Sequence, residues 1–162
     1  LAATISCARK GEFDIAVEHQ ATGIVMRIIG RLGPRCIRRG RSLGGVVLGA
    51  PAGESHGLPT AMLGDLLRLH GWDVTDLGPN TPTASFVHAI RHGVDVEAVG
   101  LSVTHSVHLL DAEACCRAIK KTQSDIFVVV GGSGLGDVSE KDLGADARAA
   151  SADEFHELLR SR

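Results

Sequence analysis

Tyrosine is missing from this 162-residue chain, and all aromatic residues together make up 3% of it. That scarcity excludes a surface built to stack nucleic-acid bases. Charge of one sign is lacking too. The formal net charge is −2, so there is no strongly basic face to track a phosphate backbone. The one basic cluster, Arg35, Arg38, Arg39 and Arg41, reads as a solvated inter-domain linker. The four cysteines, Cys7, Cys36, Cys115 and Cys116, form no C-x-x-C pair and no zinc spacing. Free thiols in a reducing compartment are the expectation. No apolar run reaches the length of a membrane span and no signal peptide is visible, which makes the cytoplasm the default location. The chain opens at Leu1 inside what reads as a helix, as a piece of a longer protein would.

What is present is an apolar content of 44%, enough for a sizeable core. Residues 1–42 read as helical. Phe13, Val17, Ala21, Ile24, Val25 and Ile28 recur at three- and four-residue steps, and Gly33-Pro34 closes the segment. From Ser42 the rhythm changes to strands alternating with helices. Strands are expected at Gly44–Ala50, Asp73–Leu77, Ala98–Val103, Ile126–Val130 and, more briefly, Ala145–Ala149. Helices are expected at Leu58–Leu69, Thr83–Arg91, Leu109–Lys121 and Ala152–Leu159. Such alternation implies right-handed crossovers and a parallel sheet. The runs Val46-Val47-Leu48 and Phe127-Val128-Val129-Val130 suit central strands buried on both faces. The expected architecture is α/β: a flavodoxin-like (Rossmann-like), doubly wound, parallel five-stranded sheet over residues 43–162. A small, partial helical subdomain over 1–42 precedes it.

The loops that follow the strands share one edge of such a sheet, the edge where open α/β folds bind ligands. The first carries Gly53-Glu54-Ser55-His56-Gly57-Leu58-Pro59. An imidazole there suits a transition metal, and Glu54 is placed to hold the ring's other nitrogen. Later loops supply Gly78-Pro79-Asn80-Thr81-Pro82, then Ser102, Thr104, His105 and His108, then Gly131-Gly132-Ser133. The hydroxyls of Ser102, Thr104 and Ser133 are donors for polar ligand atoms. The glycines allow close approach of a bulky ligand. They do not spell the G-x-G-x-x-G fingerprint and follow a late strand, which weighs against a nicotinamide cofactor. Taken singly, a histidine in a loop, a Ser-x-Thr at a strand end and a Gly-Gly turn are each commonplace. Their joint occurrence on one edge is not.

Together these residues resemble the cobalamin-binding domain family, with its D-x-H-x-x-G, S-x-L or S-x-T, and G-G motifs after successive strands. Here they stand as Glu54-Ser55-His56-Gly57-Leu58-Pro59, Ser102-Val103-Thr104 and Gly131-Gly132, within residues 43–150. Glu54 replaces an aspartate and Pro59 a glycine. The resemblance implies that His56 takes the lower axial position on cobalt, with Glu54 orienting it. Glu54, Ser55, His56, Gly57 and Leu58 would then form the first motif's share of the cofactor site. Ser102 and Thr104 would contact the displaced benzimidazole tail, with Ser133 a further cofactor-site residue. Gly131 and Gly132 would line its slot, with Gly144-Ala145 at the far wall. Binding through a neutral imidazole should weaken as pH falls.

The helical segment resembles the cap of cobalamin-dependent light-responsive regulators, whose W-x9-E-H motif is matched here by Glu18-His19, beside Val17. The tryptophan position holds Ala8, followed by Arg9. The Gly78–Pro82 loop also resembles those regulators. The resemblance therefore implies a non-enzymatic, light-responsive sensor domain that binds adenosyl-, methyl- or hydroxocobalamin. A bilin beside the cofactor is a further expectation. The sensor would act on an output domain or partner protein, with a change in homo-oligomeric state. The alternative is a corrinoid carrier for methyl transfer, as a subunit of a cobalamin-dependent methyltransferase. A plain flavodoxin-like module for a phosphate or flavin is the third reading, and it needs no His56. His70, His88, His92 and His156 are expected at the surface, and Trp72 in packing.

Overall fold

A computed structural model describes residues 15–35 and 40–162. The chain divides into two compact units, Leu1–Arg35 and Cys36–Arg162. In the first, helix α1 runs over Ile15–Leu32 and ends in a 3-10 turn at Gly33–Arg35. Val17, Ile24, Ile28 and Leu32 on it are between 43% and 51% exposed. The start of the expected helical segment, with Ala8, lies outside the described residues, as do Cys7 and Cys36.

The second unit is the alternating α/β domain. Its strands are β1 (Gly45–Gly49), β2 (Asp73–Asp76), β3 (Val96–Ser102), β4 (Phe127–Gly131) and β5 (Ala147–Ala149). Its helices are α2 (Leu58–His70), α3 (Thr83–His92), α4 (Leu109–Thr122) and α5 (Ala152–Arg160). The strands form one sheet in the order β2-β1-β3-β4-β5, and every pairing is parallel. This is the flavodoxin-like order, whose direction of winding reverses between β1 and β3.

Burial on both faces explains the continuous apolar runs. Val47, Val99, Leu101, Val128 and Val130 pack with Phe86 and Ile90 of α3 and with Ala112, Cys115, Cys116 and Ile119 of α4. Val46, Leu48, Ala98 and Val129 point the other way, into Leu67 of α2 and Phe155 and Leu159 of α5. Trp72 belongs to this second cluster, as expected. Burial pushes the thiols of Cys115 and Cys116 up to about 12, which keeps them protonated and unreactive.

Local chemistry sets the ends of the helices. Pro59 lies in the first turn of α2, where its missing N–H costs nothing. Gly71 closes that helix in the left-handed conformation, φ +95°, and donates its N–H back to Arg68 O. Ser151 caps α5 by accepting the Glu154 N–H at 3.1 Å, and Glu154 reaches back to the Ala150 N–H at 2.7 Å.

One expectation fails. His156 is not at the surface: it is 6% exposed and stacks on the His70 ring of α2, with centroids 3.9 Å apart. Helical period puts it beside Phe155 and Leu159 on the buried face of α5.

Candidate functional site

The loops after β1 and β3 flank the reversal of winding, and they carry the residues that matter. After β1 the chain turns through Gly53 at φ +85° and delivers Glu54 into the interior. The Glu54 side chain is fully buried, yet its carboxylate is saturated with donors. Oε1 accepts the His56 Nδ1–H at 2.5 Å and the His56 backbone N–H at 3.2 Å. Oε2 accepts the backbone N–H groups of Thr104 at 2.8 Å and His105 at 2.9 Å. Burial alone would push this carboxyl's pKa up. The His56 side chain and the three backbone donors outweigh that and hold it below its ordinary value. Glu54 is therefore an ionised hub joining the first motif to the second.

The consequence for His56 is a fixed tautomer. With its proton on Nδ1 and committed to Glu54, the ring keeps its lone pair on Nε2. The His56 side chain is 37% exposed, and the His105 ring lies 5.3 Å from it, tilted by 46°. Among the described residues no group of three or more His, Cys, Asp or Glu could hold a metal ion. A single presented imidazole suits a metal that brings its other ligands with it.

Beside this loop a cavity of about 200 Å³ opens between the sheet and helices α2 and α5. Leu48, Gly100, Leu101, Ser102, Gly131 and Gly132 contribute from the sheet and its edge. Pro59, Thr60 and Leu63 line it from α2. Ala149, Ala150, Ser151, Ala152 and Phe155 line it from the β5–α5 side. Ser102 Oγ is buried and without a hydrogen-bond partner, a costly state that a ligand acceptor would relieve. Gly132 is needed for backbone reasons. Its φ is +111°, and an added Cβ would stand 2.2 Å from Val103 O. Gly100 makes room for Phe155, whose ring would be 2.8 Å from a Cβ there.

The expected residues thus sort themselves. Glu54, His56, Ser102, Gly131 and Gly132 gather at one edge. Leu58 is buried at the start of α2 and Gly57 caps it, while Ser55 is exposed. Thr104 and Ser133 do not line the cavity. Thr104 serves through its backbone, its N–H on Glu54 and its carbonyl accepting from Ser133 Oγ at 3.2 Å. Gly144-Ala145 is not the far wall, because Ala145 packs in the core on the α4 side of the sheet. The wall is formed instead by Ala149–Ala152 and Phe155. Val17, Glu18 and His19 lie on α1, in the other unit. There Glu18 Oε2 is 3.8 Å from His19 Nε2, and the His19 side chain is 75% exposed.

The roles of Asn80 and of the Ser151 turn escaped the sequence reading. Asn80 Oδ1 accepts the Gly53 N–H at 2.8 Å, and Asn80 N–H donates to Glu54 O at 2.7 Å, so the loop after β2 braces the histidine loop. The Ser151-x-x-Glu154 capping box was the legible signal for the outer wall of the cavity.

The chain is 26% identical over 117 residues to a dimethylamine corrinoid protein of Methanosarcina barkeri, a match covering 71% of this chain and 54% of that protein. It is 26% identical over 148 residues to a corrinoid protein of Desulfitobacterium hafniense, covering 90% and 68%. The chain thus spans about half the length of the first of these relatives. Among solved structures, the monomethylamine corrinoid protein of Methanosarcina barkeri superposes with a TM-score of 0.80 at 17% identity, covering 95% of this chain and 74% of that one. That likeness shows the fold. The B12 binding domain family matches residues 44–159, the whole α/β unit with its Glu54–His56 pair and cavity, and the chain belongs to that family.

Proposed function

We propose that this chain holds a cobamide with His56 as the protein ligand to cobalt and the nucleotide tail in the cavity between the sheet and helices α2 and α5. It would serve as the corrinoid carrier of a methyl-transfer system. The observation that carries the reading is the pairing of a tautomer-fixed imidazole with an adjacent apolar cavity that contains one unsatisfied hydroxyl. When bound, the cobamide supplies a cobalt centre able to accept and release a methyl group. The chain's own residues do the rest. Glu54 keeps the His56 proton on Nδ1, Ser102 offers a hydrogen bond to the tail, and Gly131 and Gly132 keep side chains out of its path.

Carrier is favoured over light sensor. The matched relatives bear the names of corrinoid proteins, and a methanol:cobalamin methyltransferase complex of Methanosarcina barkeri shares the fold, with a TM-score of 0.64 at 16% identity. The sensor reading rests on the Gly78–Pro82 loop and on Glu18-His19, without the tryptophan that accompanies the pair in the regulators. Partners would then be methyltransferase proteins, and no bilin is required.

The test is a titration of the purified chain with hydroxo- and methylcobalamin, followed by absorbance. Spectra showing the tail displaced and histidine bound, lost in His56→Ala, are expected. Methyl transfer to a thiol only in the presence of partner methyltransferases would mark the carrier. A stable photoproduct with a change in oligomeric state would mark the sensor instead. Unaltered binding by His56→Ala would overturn both.

A further inference from the structure

The two helices that wall the cavity beside His56 meet at a pair of histidines. Helix α2 lines the cavity with Pro59, Thr60 and Leu63, and α5 with Ala152 and Phe155. Between the helices the His70 ring of α2 stacks on the His156 ring of α5, with centroids 3.9 Å apart and planes 21° apart. His156 follows Phe155 directly and lies one turn beyond Ala152, so a displacement of this ring displaces the cavity wall. No acceptor is in place for an added proton. His156 is buried, and its Nδ1 has no hydrogen-bond partner. A neutral imidazole can leave a bare lone pair there, whereas an imidazolium must put a donor there. Burial, His70 and Arg160 oppose a charge on His156, against Glu157 and Asp153. On α2, Asp65 and Arg68 are paired with each other at 3.1 Å. Arg148 of β5 is engaged by the Gly136 and Val138 carbonyls.

We infer that the His70–His156 stack is a pH-operated latch on this cavity: neutral, it holds α5 against α2, and protonated, it lets α5 swing away and frees what the cavity holds. The inference rests on the cobamide reading above, in which that occupant is the nucleotide tail. Two imidazolium rings in one stack repel, and the repulsion is strong where water is excluded. The route of relief is for His156 to turn out to water, which carries Phe155 off its seat over Gly100. The sign follows from the buried ring. Burial first, then His70 and Arg160, lower the His156 pKa below 6.5. The closed form is therefore fully favoured above 6.5 and loses that advantage as pH falls through the lower value of the closed state. Coupling is reciprocal: a tail that stabilises the closed form must lower the His156 pKa further. Protonation of His56 is a separate event, since it opposes cobalt binding for any corrinoid. The latch acts only on a corrinoid that carries a tail.

The test compares methylcobalamin with methylcobinamide, which carries no tail base, on the full chain freed of cofactor. Affinities are read by absorbance titration at about pH 7 and about pH 5, and their ratio cancels the shared effect of His56. The ratio should fall about fivefold or more between the two pH values. His156→Leu should hold its ratio constant, and its binding of methylcobinamide reports that the variant is folded. Should that variant fail to fold, His70→Gln takes its place: with one of the two charges gone, its ratio should fall less than that of wild type. A second readout needs no variant to bind. The His156 ring proton, followed by NMR, should titrate at lower pH with methylcobalamin bound than with methylcobinamide bound. A ratio that does not change with pH in wild type would overturn the inference and leave the proposed function standing. So would a fall of wild-type size in the folded variant, or a His156 that titrates alike in the two complexes. Failure of both corrinoids to bind at pH 7 would overturn the proposed function, and the inference with it.

Discussion

Glu54 Oε1 stands 2.5 Å from His56 Nδ1, and the other oxygen of the same carboxylate gathers the Thr104 and His105 backbone N–H groups. One buried anion therefore fixes both the tautomer of the histidine and the path of the chain after β3. A glutamate does this where the resembled motif has an aspartate.

The first prediction follows from that span. Glu54→Gln keeps the shape but replaces an oxygen acceptor and removes the charge, so cobalamin affinity through His56 should fall about 10- to 100-fold, the usual consequence of losing the partner of a metal-bound histidine. Glu54→Asp should fall between wild type and Glu54→Gln, since the shorter chain reaches His56 or the β3 loop but not both. Glu54→Ala strands buried donors at a cost of about 1–3 kcal/mol each and should lower the melting temperature most. Absorbance titrations and thermal melts on the three variants check the order. An Ala variant as stable as wild type would show that the carboxylate is no hub.

The glycines of the third motif allow a second, sharper comparison. Gly132→Ala sets a Cβ 2.2 Å from Val103 O at φ +111°, a clash with backbone that no side-chain rotation relieves. Gly136 also has a positive φ, +50°, but nothing lies within 4 Å of its would-be Cβ. Gly136→Ala should cost about 1–3 kcal/mol, the penalty for a side chain in a sparsely populated backbone conformation, here φ +50° and ψ −127°. Gly132→Ala should cost several times that or fail to fold. Denaturant unfolding of both variants decides it, and equal losses would contradict the clash.

The stacked pair His70–His156 gives a pH dependence with a definite sign. Burial lowers the His156 pKa below 6.5. His70 and Arg160 push the same way, against Glu157 and Asp153. The His156 Nδ1 is buried without a partner, so a proton there would find no acceptor. The folded state thus binds its proton less readily than the unfolded chain. The stability this group supports is complete above 6.5 and is lost as pH falls from 6.5 through the lower folded value. Unfolding free energy should therefore drop between about pH 7 and pH 5, and His156→Leu should flatten that slope. An unchanged slope in the variant would place the sensitivity elsewhere.

How far the sequence anticipates this structure depends on where each signal is stored. The sheet is legible because Val46-Val47-Leu48 and Val128-Val129-Val130 are buried on both faces and so carry their burial in composition. β5 is only Ala147–Ala149, with Arg148 at its centre; the short strand expected at Ala145–Ala149 is there, and pairing with β4 sets its extent. The Glu54–His56 pair is legible because the two residues are neighbours in the chain. The far wall of the cavity is not, because Phe155 reaches it from α5 only after the sheet has formed, through space left by Gly100. His156 misleads for a similar reason: its partner His70 comes from another helix, and polar identity outweighs helical position in a local reading.

Asn80 supplies the last prediction, because two of its properties can be separated by substitution. It sits at φ +50°, where asparagine is tolerated better than most residues. Its Oδ1 accepts the Gly53 N–H at 2.8 Å, tying the loop after β2 to the loop that carries His56. Asn80→Gly keeps the backbone freedom and loses only the side-chain tie, so it should cost about 1 kcal/mol. Asn80→Ala loses the tie and strains the backbone as well, for about 2–3 kcal/mol in all. If the tie also holds His56 in place for its ligand, both variants should lose cobalamin affinity by a similar factor although their stabilities differ. Binding that instead tracks stability would mean that Asn80 supports the fold and not the site. Melting curves and cofactor titrations on the same two proteins separate the outcomes.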